Sequence, residues 1–223
     1  MDLIYIIYCA IFGRKANISE NIIVEHKLLD FRSSYMKQAM TLTDAQQKRV
    51  LQYCATRRHP TRDKTIVLFS LHTGLRAMEL AALKLGDVFD EDGSVKSQFQ
   101  LAQRNTKGGN ARTVFINAKL RKALKDYGEQ SDLTQPERAL FPSQKGGHFS
   151  ANTMCQLFLD IYKACGFEHA SSHSGRRTFI TKLANSGVNV RLLAALAGHQ
   201  HISVTQRYID VNDTQLANAV ELL

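Results

Sequence analysis

Residues 171–187 read SSHSGRRTFITKLANSG, a stretch in which His173 and Arg176 lie three residues apart. Apolar side chains recur after them with a helical period, so both residues are predicted to project from the start of one helix behind a Ser-Ser cap. His199 follows 23 residues after Arg176, and Tyr208 follows nine residues after His199. The C-terminal part of the chain therefore gathers polar and aromatic groups at fixed intervals between helices.

Arg76 lies upstream of this region, in the octapeptide TGLRAMEL of residues 73–80. Thr73-Gly74 is predicted to break one helix and to place Arg76 in the first turn of the next, on one face with Glu79. Guanidinium groups form paired hydrogen bonds to phosphate, and an activated tyrosine can attack it. Two arginines, two histidines and one tyrosine therefore predict cleavage of a nucleic-acid strand through a phosphotyrosyl link.

The composition agrees with a basic globular protein. Of 223 residues, 44% are hydrophobic and 22% are charged, which is enough apolar side chain for a sizeable core. The formal charge is +9, and +8 of it falls within residues 41–223. An excess of positive charge favours nucleic acid as the partner, because phosphate neutralisation supplies most non-specific affinity. A solvated basic surface would give the same count, so charge alone does not decide.

Other classes of protein are disfavoured. Four scattered cysteines without a Cys-x-x-Cys pair argue against a disulfide framework and a structural zinc site, and favour a reduced, cytoplasmic location. His199 and His201 could suggest a metal site, but no acidic or cysteine ligand stands nearby. The apolar run of residues 3–12 is too short to span a bilayer and lacks the basic segment of a signal peptide. No metal, cofactor or membrane is expected.

Hydrophobic periodicity predicts a fold that is mainly α with a small antiparallel β-sheet (α+β). The helical segments are residues 45–56, 62–71, 75–85, 118–130, 151–165, 175–185, 190–197, 204–208 and 213–222. Alternating apolar residues within 94–117 flank the turn sequence Asn105–Asn110, so a hairpin is expected there with Lys107 in its loop. One domain is predicted over residues 41–223, and residues 1–40 form an N-terminal segment of unclear role.

Each residue has an ordinary interpretation when it is taken singly. An arginine on a helix is usually a solvated charge, and a tyrosine beside an isoleucine usually packs. A lysine in a glycine-rich turn is also usually solvated, although its ammonium could reach a leaving oxygen. Arg112, in the strand after the loop, is expected to touch the DNA backbone. Gly198 is expected to end the helix closed by Ala197, so that His199 faces the next helix.

Four motifs together resemble those of the tyrosine recombinase (phage integrase) family. They are a first arginine box at residues 73–80, a hairpin lysine motif at 107–112, a second box at 173–176, and its final part from Leu196–His199 to Tyr208. The resemblance covers residues 41–223, which correspond to the family's catalytic domain. Two departures stand beside the second box, where Arg177 replaces a common histidine and Gly175 replaces an apolar residue.

The resemblance implies the roles of the phosphate-binding residues. Tyr208 would attack the scissile phosphate, form a 3′-phosphotyrosyl link and release a 5′-hydroxyl. Arg76 and Arg176 would hold the non-bridging oxygens and stabilise the charge of the pentacoordinate state. His199 would add a hydrogen bond to the phosphate. A free hydroxyl of a partner strand would then reverse the reaction, which exchanges strands without a metal or a nucleotide.

The resemblance also implies how protons move and what the protein assembles with. Lys107 would protonate the leaving oxygen, His173 would take the tyrosine proton or orient a phosphate oxygen, and Glu79 would support the site. The partner would be double-stranded DNA, bound by a tetramer at two sites and by a monomer away from DNA. Most relatives carry an N-terminal domain that clamps the DNA, and forty residues are too few for it.

Three alternatives remain at the level of sequence. A truncated, non-catalytic integrase-derived DNA-binding protein would have the same charge and fold. An enzyme similar to type IB topoisomerases would share the phosphotyrosine chemistry without pairing two sites. A metal-dependent phosphodiesterase is the weakest of the three. The DNA target and the direction of the reaction (integration, excision or inversion) are not encoded in any pattern of this chain.

Overall fold

Most of the described chain is helical in the computed structural model. The structure describes residues 39–102 and 111–209, together with Ala217, Val220 and Glu221. These residues belong to the compact unit Ala39–Leu223. Lys107, the turn around it and most of the predicted last helix lie outside the described residues, as do residues 1–38.

The described elements follow one another as helices on either side of a single hairpin. They are α1 (Asp44–Cys54), α2 (Pro60–Thr73), α3 (Ala77–Ala81), α4 (Leu85–Val88), β1 (Gln98–Leu101), β2 (Arg112–Phe115), α5 (Ala118–Gly128), α6 (Ala151–Ala164), α7 (Ser174–Asn185), α8 (Val190–Ala197) and α9 (Ile202–Gln206). The predicted class, mainly α with a small antiparallel sheet, is confirmed.

Helix α2 is the centre of the fold. Pro60 occupies its first turn, where a missing N–H costs nothing, and Gly74 ends it in the left-handed conformation with φ 63°. The helix packs against α1, α3, α5 and α7, so it is buried on nearly all sides. Phe69 is fully buried and meets Phe99 and Phe141 edge-on, with ring centroids 6.3 and 6.0 Å away. These contacts fix the hairpin against the helical core.

The hairpin forms as the alternating pattern predicted. β1 and β2 pair antiparallel, with Phe99 opposite Val114 and Leu101 opposite Arg112. Phe99, Leu101 and Val114 are buried, whereas Phe115 is exposed. Because side chains alternate across a strand, Arg112 lies on the same inward face as Val114.

Two of the predicted helices differ most from the structure, and the other described boundaries shift by at most two residues. The helix expected at 75–85 is two short helices, α3 and α4, because Lys84 is extended and forms an isolated bridge with Ala139. Asp87 accepts the backbone N–H of Lys84 at 2.8 Å and starts α4. The short helix expected at 204–208 begins earlier, at Ile202, and ends at Gln206, before Tyr208.

Gly175 has a packing role that explains its small size. A Cβ at this position would collide with the hydroxyl of Ser70, and it would also lie 3.2 Å from the Ser70 carbonyl carbon. Helices α2 and α7 therefore approach closely at this point. That approach places the start of α7, which carries His173 and Arg176, beside the end of α2 and the turn that leads to Arg76.

Candidate active site

Arg76 lies at the turn between α2 and α3. Gly74 ends α2, and Arg76 is the extended N-cap residue of α3, with φ −72° and ψ 153°. The expectation that Arg76 occupies the first helical turn was wrong, because Arg76 is still extended and the helix begins at Ala77. Glu79 accepts the Arg76 backbone N–H at 2.8 Å, which satisfies a donor at the helix start.

Glu79 is the buried carboxylate of the site, with no exposed surface. Its Oε1 accepts from Nη1 of Arg76 at 2.8 Å and from Nη1 of Arg112 at 3.0 Å, and its Oε2 accepts from Nη2 of Arg112 at 2.9 Å. Burial alone would raise the pKa of Glu79, but the hydrogen bonds and charge of Arg112, with those of Arg76, hold it below its ordinary value. Glu79 is therefore a carboxylate that orients two guanidinium groups.

Arg112 is the residue of this site that the sequence analysis missed. It was expected to touch the DNA backbone, but its side chain is only 9% exposed and forms a two-bonded pair with Glu79. A Cβ on Gly198 would lie 2.8 Å from its Cδ and Nη1, so the arginine passes directly beneath Gly198. The signal was available, because Arg112 precedes the buried Val114 by two residues and so shares its inward face.

Arg176 joins the ends of two helices. It is 4% exposed, and its guanidinium donates to the carbonyl of Gly74 at 2.7 Å and to that of Ala197 at 2.6 Å. Burial first, and then the charge of Arg76, lowers the pKa of Arg176 to about 10, so the group stays cationic at neutral pH. Arg76, Arg112 and Arg176 around Glu79 are called the arginine cluster below.

His199 lies on the C-terminal side of α8, where the sequence predicted it. Gly198 is left-handed with φ 64°, and the His199 ring contacts α9 through Nδ1, 2.8 Å from the hydroxyl oxygen of Thr205. Burial first, and then the charges of the arginine cluster, lowers the pKa of His199 to about 4. The ring is therefore neutral at pH 7, and the fully buried Thr205 orients it.

Tyr208 is half-buried beside His199. The two rings are offset-stacked, with centroids 5.9 Å apart and planes inclined by 18°. The guanidinium carbon of Arg177 lies 5.8 Å from the centroid of the tyrosine ring. Tyr208 is thus held mainly through its aromatic faces, at the edge of the arginine cluster.

His173 is exposed and forms the N-cap residue of α7. The expected Ser-Ser cap is displaced by one step, because Ser171 Oγ accepts the His173 backbone N–H at 3.2 Å and α7 begins at Ser174. His173 therefore lies at the start of the helix that carries Arg176, as predicted, although not inside its first turn. Lys107, the remaining predicted residue, lies outside the described part of the chain.

The structure brings four of the six predicted residues into one neighbourhood. They are Arg76, Arg176, His199 and Tyr208, linked by the ring contact and by the electrostatic coupling of His199 to both arginines. Within the described residues, no three His, Cys, Asp or Glu side chains converge on a position that could hold a metal ion, and no helix is long and apolar enough to cross a membrane.

Known proteins resemble this chain in sequence and in fold. The family model described as the phage integrase family matches residues 40–215. This chain belongs to the phage integrase (tyrosine recombinase) family. The tyrosine recombinase XerA of Pyrococcus furiosus is 29% identical over 182 residues, which cover 81% of this chain and 60% of that protein. XerC of Caldanaerobacter subterraneus is 32% identical over 164 residues, which cover 71% of this chain and 44% of that protein.

Solved structures agree with the family and its fold. The crystal structure of a XerA recombinase matches with a TM-score of 0.66 at 26% identity, over 83% of this chain and 65% of that one. The Tn1549 transposon integrase in complex with circular intermediate DNA also matches with a TM-score of 0.66, at 24% identity and over 82% of this chain and 67% of that one. The phage integrase-family chain described here spans about half the length of the curated relatives it matches, and its matched part is a tyrosine recombinase catalytic domain.

Proposed function

We propose that this chain carries the catalytic domain, over residues 41–223, of a site-specific DNA recombinase that cleaves and rejoins strands through a 3′-phosphotyrosyl intermediate. The observation that carries the proposal is the position of Tyr208, stacked on a neutral His199 at the edge of the arginine cluster. Guanidinium groups that are already oriented can stabilise charge on a phosphate without rearranging during the reaction.

In the proposed reaction, Oη of Tyr208 attacks the scissile phosphorus. A bond forms between Oη and phosphorus, the bond from phosphorus to the 5′-oxygen breaks, and the phosphodiester energy is retained in the new link. Arg76 and Arg176 bind the non-bridging oxygens. A neutral His199 that accepts the Thr205 hydroxyl proton at Nδ1 carries its own proton on Nε2, where it can donate to a phosphate oxygen.

Two protons must move for the atoms to balance. Tyr208 loses its phenolic proton, and His173, at the exposed start of α7, is the proposed acceptor or orienting group. The 5′-oxygen gains a proton, for which Lys107 is the proposed donor. Strand exchange then follows when the 5′-hydroxyl of a partner strand attacks the phosphotyrosyl link and reverses both transfers. No metal enters this sequence of steps.

DNA is the proposed partner of the whole enzyme, which we propose to act as a tetramer on two DNA sites. The net charge of +8 over residues 41–223 supports an anionic partner. The related XerH recombinase and the Tn1549 integrase have been solved bound to DNA, XerH with its difH substrate. The charge and these likenesses support DNA, and neither indicates the sequence that is recognised.

Covalent trapping tests the proposal. Purified protein is mixed with nicked duplexes prepared from host DNA, in which the freed strand diffuses away, and is then run on a denaturing gel. The wild type is expected to give a shifted protein–DNA band, and Tyr208→Phe is expected to give none while binding DNA in a native gel. Tyr53→Phe is the matched control, since Tyr53 is also half-buried with an arginine, Arg57, 5.8 Å from its ring.

Three results would contradict the proposal. A band that persists in Tyr208→Phe would show that another residue is the nucleophile. DNA binding by the wild type without any covalent band, on duplexes that include the recognised site, would favour the non-catalytic DNA-binding protein. Relaxation of supercoiled plasmid by a monomer would instead favour an activity similar to that of type IB topoisomerases.

A further inference from the structure

The first turn of helix α7 contains two consecutive arginines that contact different neighbours. Arg176 turns inward and donates to the carbonyls of Gly74 and Ala197. Arg177, about 100° further around the helix, is half-buried and lies over the ring of Tyr208, 5.8 Å from its centroid. The first turn of α7 therefore supplies both a member of the arginine cluster and an arginine in contact with the proposed nucleophile.

The contacts of Tyr208 explain why a second ring partner matters. The tyrosine follows the short helix α9, which ends at Gln206, so regular secondary structure does not fix its direction. Its backbone N–H reaches only the nearby Thr205 carbonyl, at 3.0 Å. Its ring contacts His199 on α8 and Arg177 on α7. These two contacts tie the nucleophile to the body of the domain.

We propose that Arg177 is a positioning residue, whose guanidinium holds the ring of Tyr208 at the edge of the arginine cluster by a cation–π contact. This inference rests on the proposed function of Tyr208 as the nucleophile. Arginine suits the role because it is permanently charged, planar and long enough to lie over a ring on a neighbouring helix. A histidine, the residue common at this place in the resembling family, is shorter and mostly neutral at pH 7.

Among the described residues, no carboxylate lies within ion-pair distance of Arg177. Its nearest cationic neighbour along the helix, Arg176, is occupied by two backbone carbonyls. The ring of Tyr208 is thus the partner the structure gives this guanidinium. The contact is only partly shielded from solvent, which limits its strength to that of a modest cation–π pair.

A fluorine label tests the contact without relying on activity. 3-Fluorotyrosine is placed at position 208 alone in the full chain, and its fluorine resonance is recorded in the absence of DNA. Arg177→Gln is expected to move the resonance and Arg177→Lys to move it less, because lysine retains the charge. Arg191→Gln, which removes the same charge from an exposed position on α8, is expected to leave it in place. A resonance that Arg177→Gln does not move, in a variant with wild-type circular dichroism, would overturn the proposal.

A kinetic measurement tests the role. Covalent complex formation is followed on nicked duplexes that carry the site recovered by trapping, at DNA concentrations from below to above half-saturation. Arg177→Gln is expected to slow the saturated rate by about two- to fivefold, with half-saturation unchanged, and Arg177→Lys to recover part of that loss. A raised half-saturation with an unchanged saturated rate would make Arg177 a DNA contact and overturn the proposal.

The two measurements separate the inference from the proposed function. If the wild type forms no covalent complex, the proposed function fails, and the fluorine resonance still decides whether Arg177 holds Tyr208. If the complex forms and the resonance responds, but Arg177→His reacts at the wild-type saturated rate, the permanent charge is not what positions the nucleophile and the proposal fails by itself.

Discussion

The arginine cluster and the tyrosine edge, by which we mean Tyr208, Arg177 and His173, are built by different means. Glu79 is fully buried and accepts from the guanidinium groups of Arg76 and Arg112. Arg176 is 4% exposed and donates to two carbonyls at helix ends. At the tyrosine edge, His173 is exposed, Tyr208 is half-buried, and the contacts to the tyrosine ring are with aromatic and cationic faces. One half is a hydrogen-bonded network inside the protein, and the other lies at its surface.

This difference follows from what each half must do in the proposed reaction. Groups that stabilise charge on a phosphate work best when they are already oriented, which burial and charge-assisted hydrogen bonds achieve. A nucleophile that enters and leaves a covalent link with DNA must remain accessible. Stability should therefore depend on the arginine cluster and respond little to the tyrosine edge, and this contrast can be measured.

The largest effect is expected from Glu79→Gln. The change leaves Arg76 and Arg112 without the buried negative charge that holds them, and removal of one partner of a buried ion pair costs about 3–5 kcal/mol. Urea unfolding should show a fall in the free energy of unfolding within that range. Glu137→Gln, at an exposed carboxylate paired with Lys84, is the control and should change it by less than about 0.5 kcal/mol.

One result would contradict the contrast in stability between the arginine cluster and the tyrosine edge. If Glu79→Gln unfolds no more easily than Glu137→Gln, the arginine cluster does not stabilise the domain, and its burial alone would not distinguish it from the tyrosine edge. The pH dependence gives the same test, since the pKa of Glu79 lies below its ordinary value. Its contribution is present above about pH 4.5 and is lost as the pH falls through the lower folded value.

An intermediate effect is expected from Gly198→Ala, for which Gly187→Ala is a matched control. Both glycines are left-handed, with φ 64° and 79°, so alanine is strained at either place by about 1–2 kcal/mol. A Cβ at 187 meets no atom within 4 Å, whereas a Cβ at 198 would lie 2.8 Å from Cδ and Nη1 of Arg112. Thermal unfolding should show a larger loss for Gly198→Ala, and the difference measures the displacement of Arg112.

The rate of covalent complex formation by Gly198→Ala and Gly187→Ala gives a second test of whether Arg112 is displaced. Gly198→Ala should also slow covalent complex formation, because Arg112 shares Glu79 with Arg76 and Gly198 immediately precedes His199. Gly187→Ala should react at the wild-type rate. Equal losses of stability in the two variants would mean that Arg112 moves aside without cost and is not held by the cluster.

The sequence predicted the helix ends and the hairpin of this fold better than it predicted the contacts of the buried charged residues. The glycines at 74 and 198 were predictable, because each ends a helical period and both adopt positive φ. The hairpin followed from alternation, since Phe99, Leu101 and Val114 occupy one face. Regular elements are visible in sequence because hydrophobic burial repeats with a fixed period.

Only one of the two arginine contacts of Glu79 could be predicted from the sequence, for a physical reason. Glu79 is three residues from Arg76, so their contact could be anticipated from helix geometry. Arg112 comes from a strand 33 residues further along, and its contact with Glu79 depends on how the hairpin packs against α3. Strand alternation places Arg112 on the inward face with Val114, but it does not identify the partner of the guanidinium. A charged side chain in a strand ordinarily indicates exposure, and the contact with Glu79 is decided by tertiary packing.

The smallest effect concerns His199, which lies between the two halves of the site. Its pKa is about 4 in the folded chain against about 6.5 in an unfolded one, so the unfolded chain binds the proton more readily between these values. The contribution of a neutral His199 is therefore present above about pH 6.5 and is lost as the pH falls toward 4. The free energy of unfolding, measured by urea titration, should fall between pH 7 and pH 5. The fall should be smaller for His199→Gln than for the wild type.

His169→Gln, at an exposed side chain, is the matched control. Its free energy of unfolding should change between pH 7 and pH 5 as much as that of the wild type. A smaller pH response in His199→Gln alone would assign His199 to the arginine cluster, because both its burial and the cationic neighbours that lower its pKa belong to that half. If all three proteins respond alike, His199 is as accessible as the tyrosine edge. The stacked pair of His199 and Tyr208 would then move as one unit at the surface, and Arg177 would be the contact that ties both rings to α7.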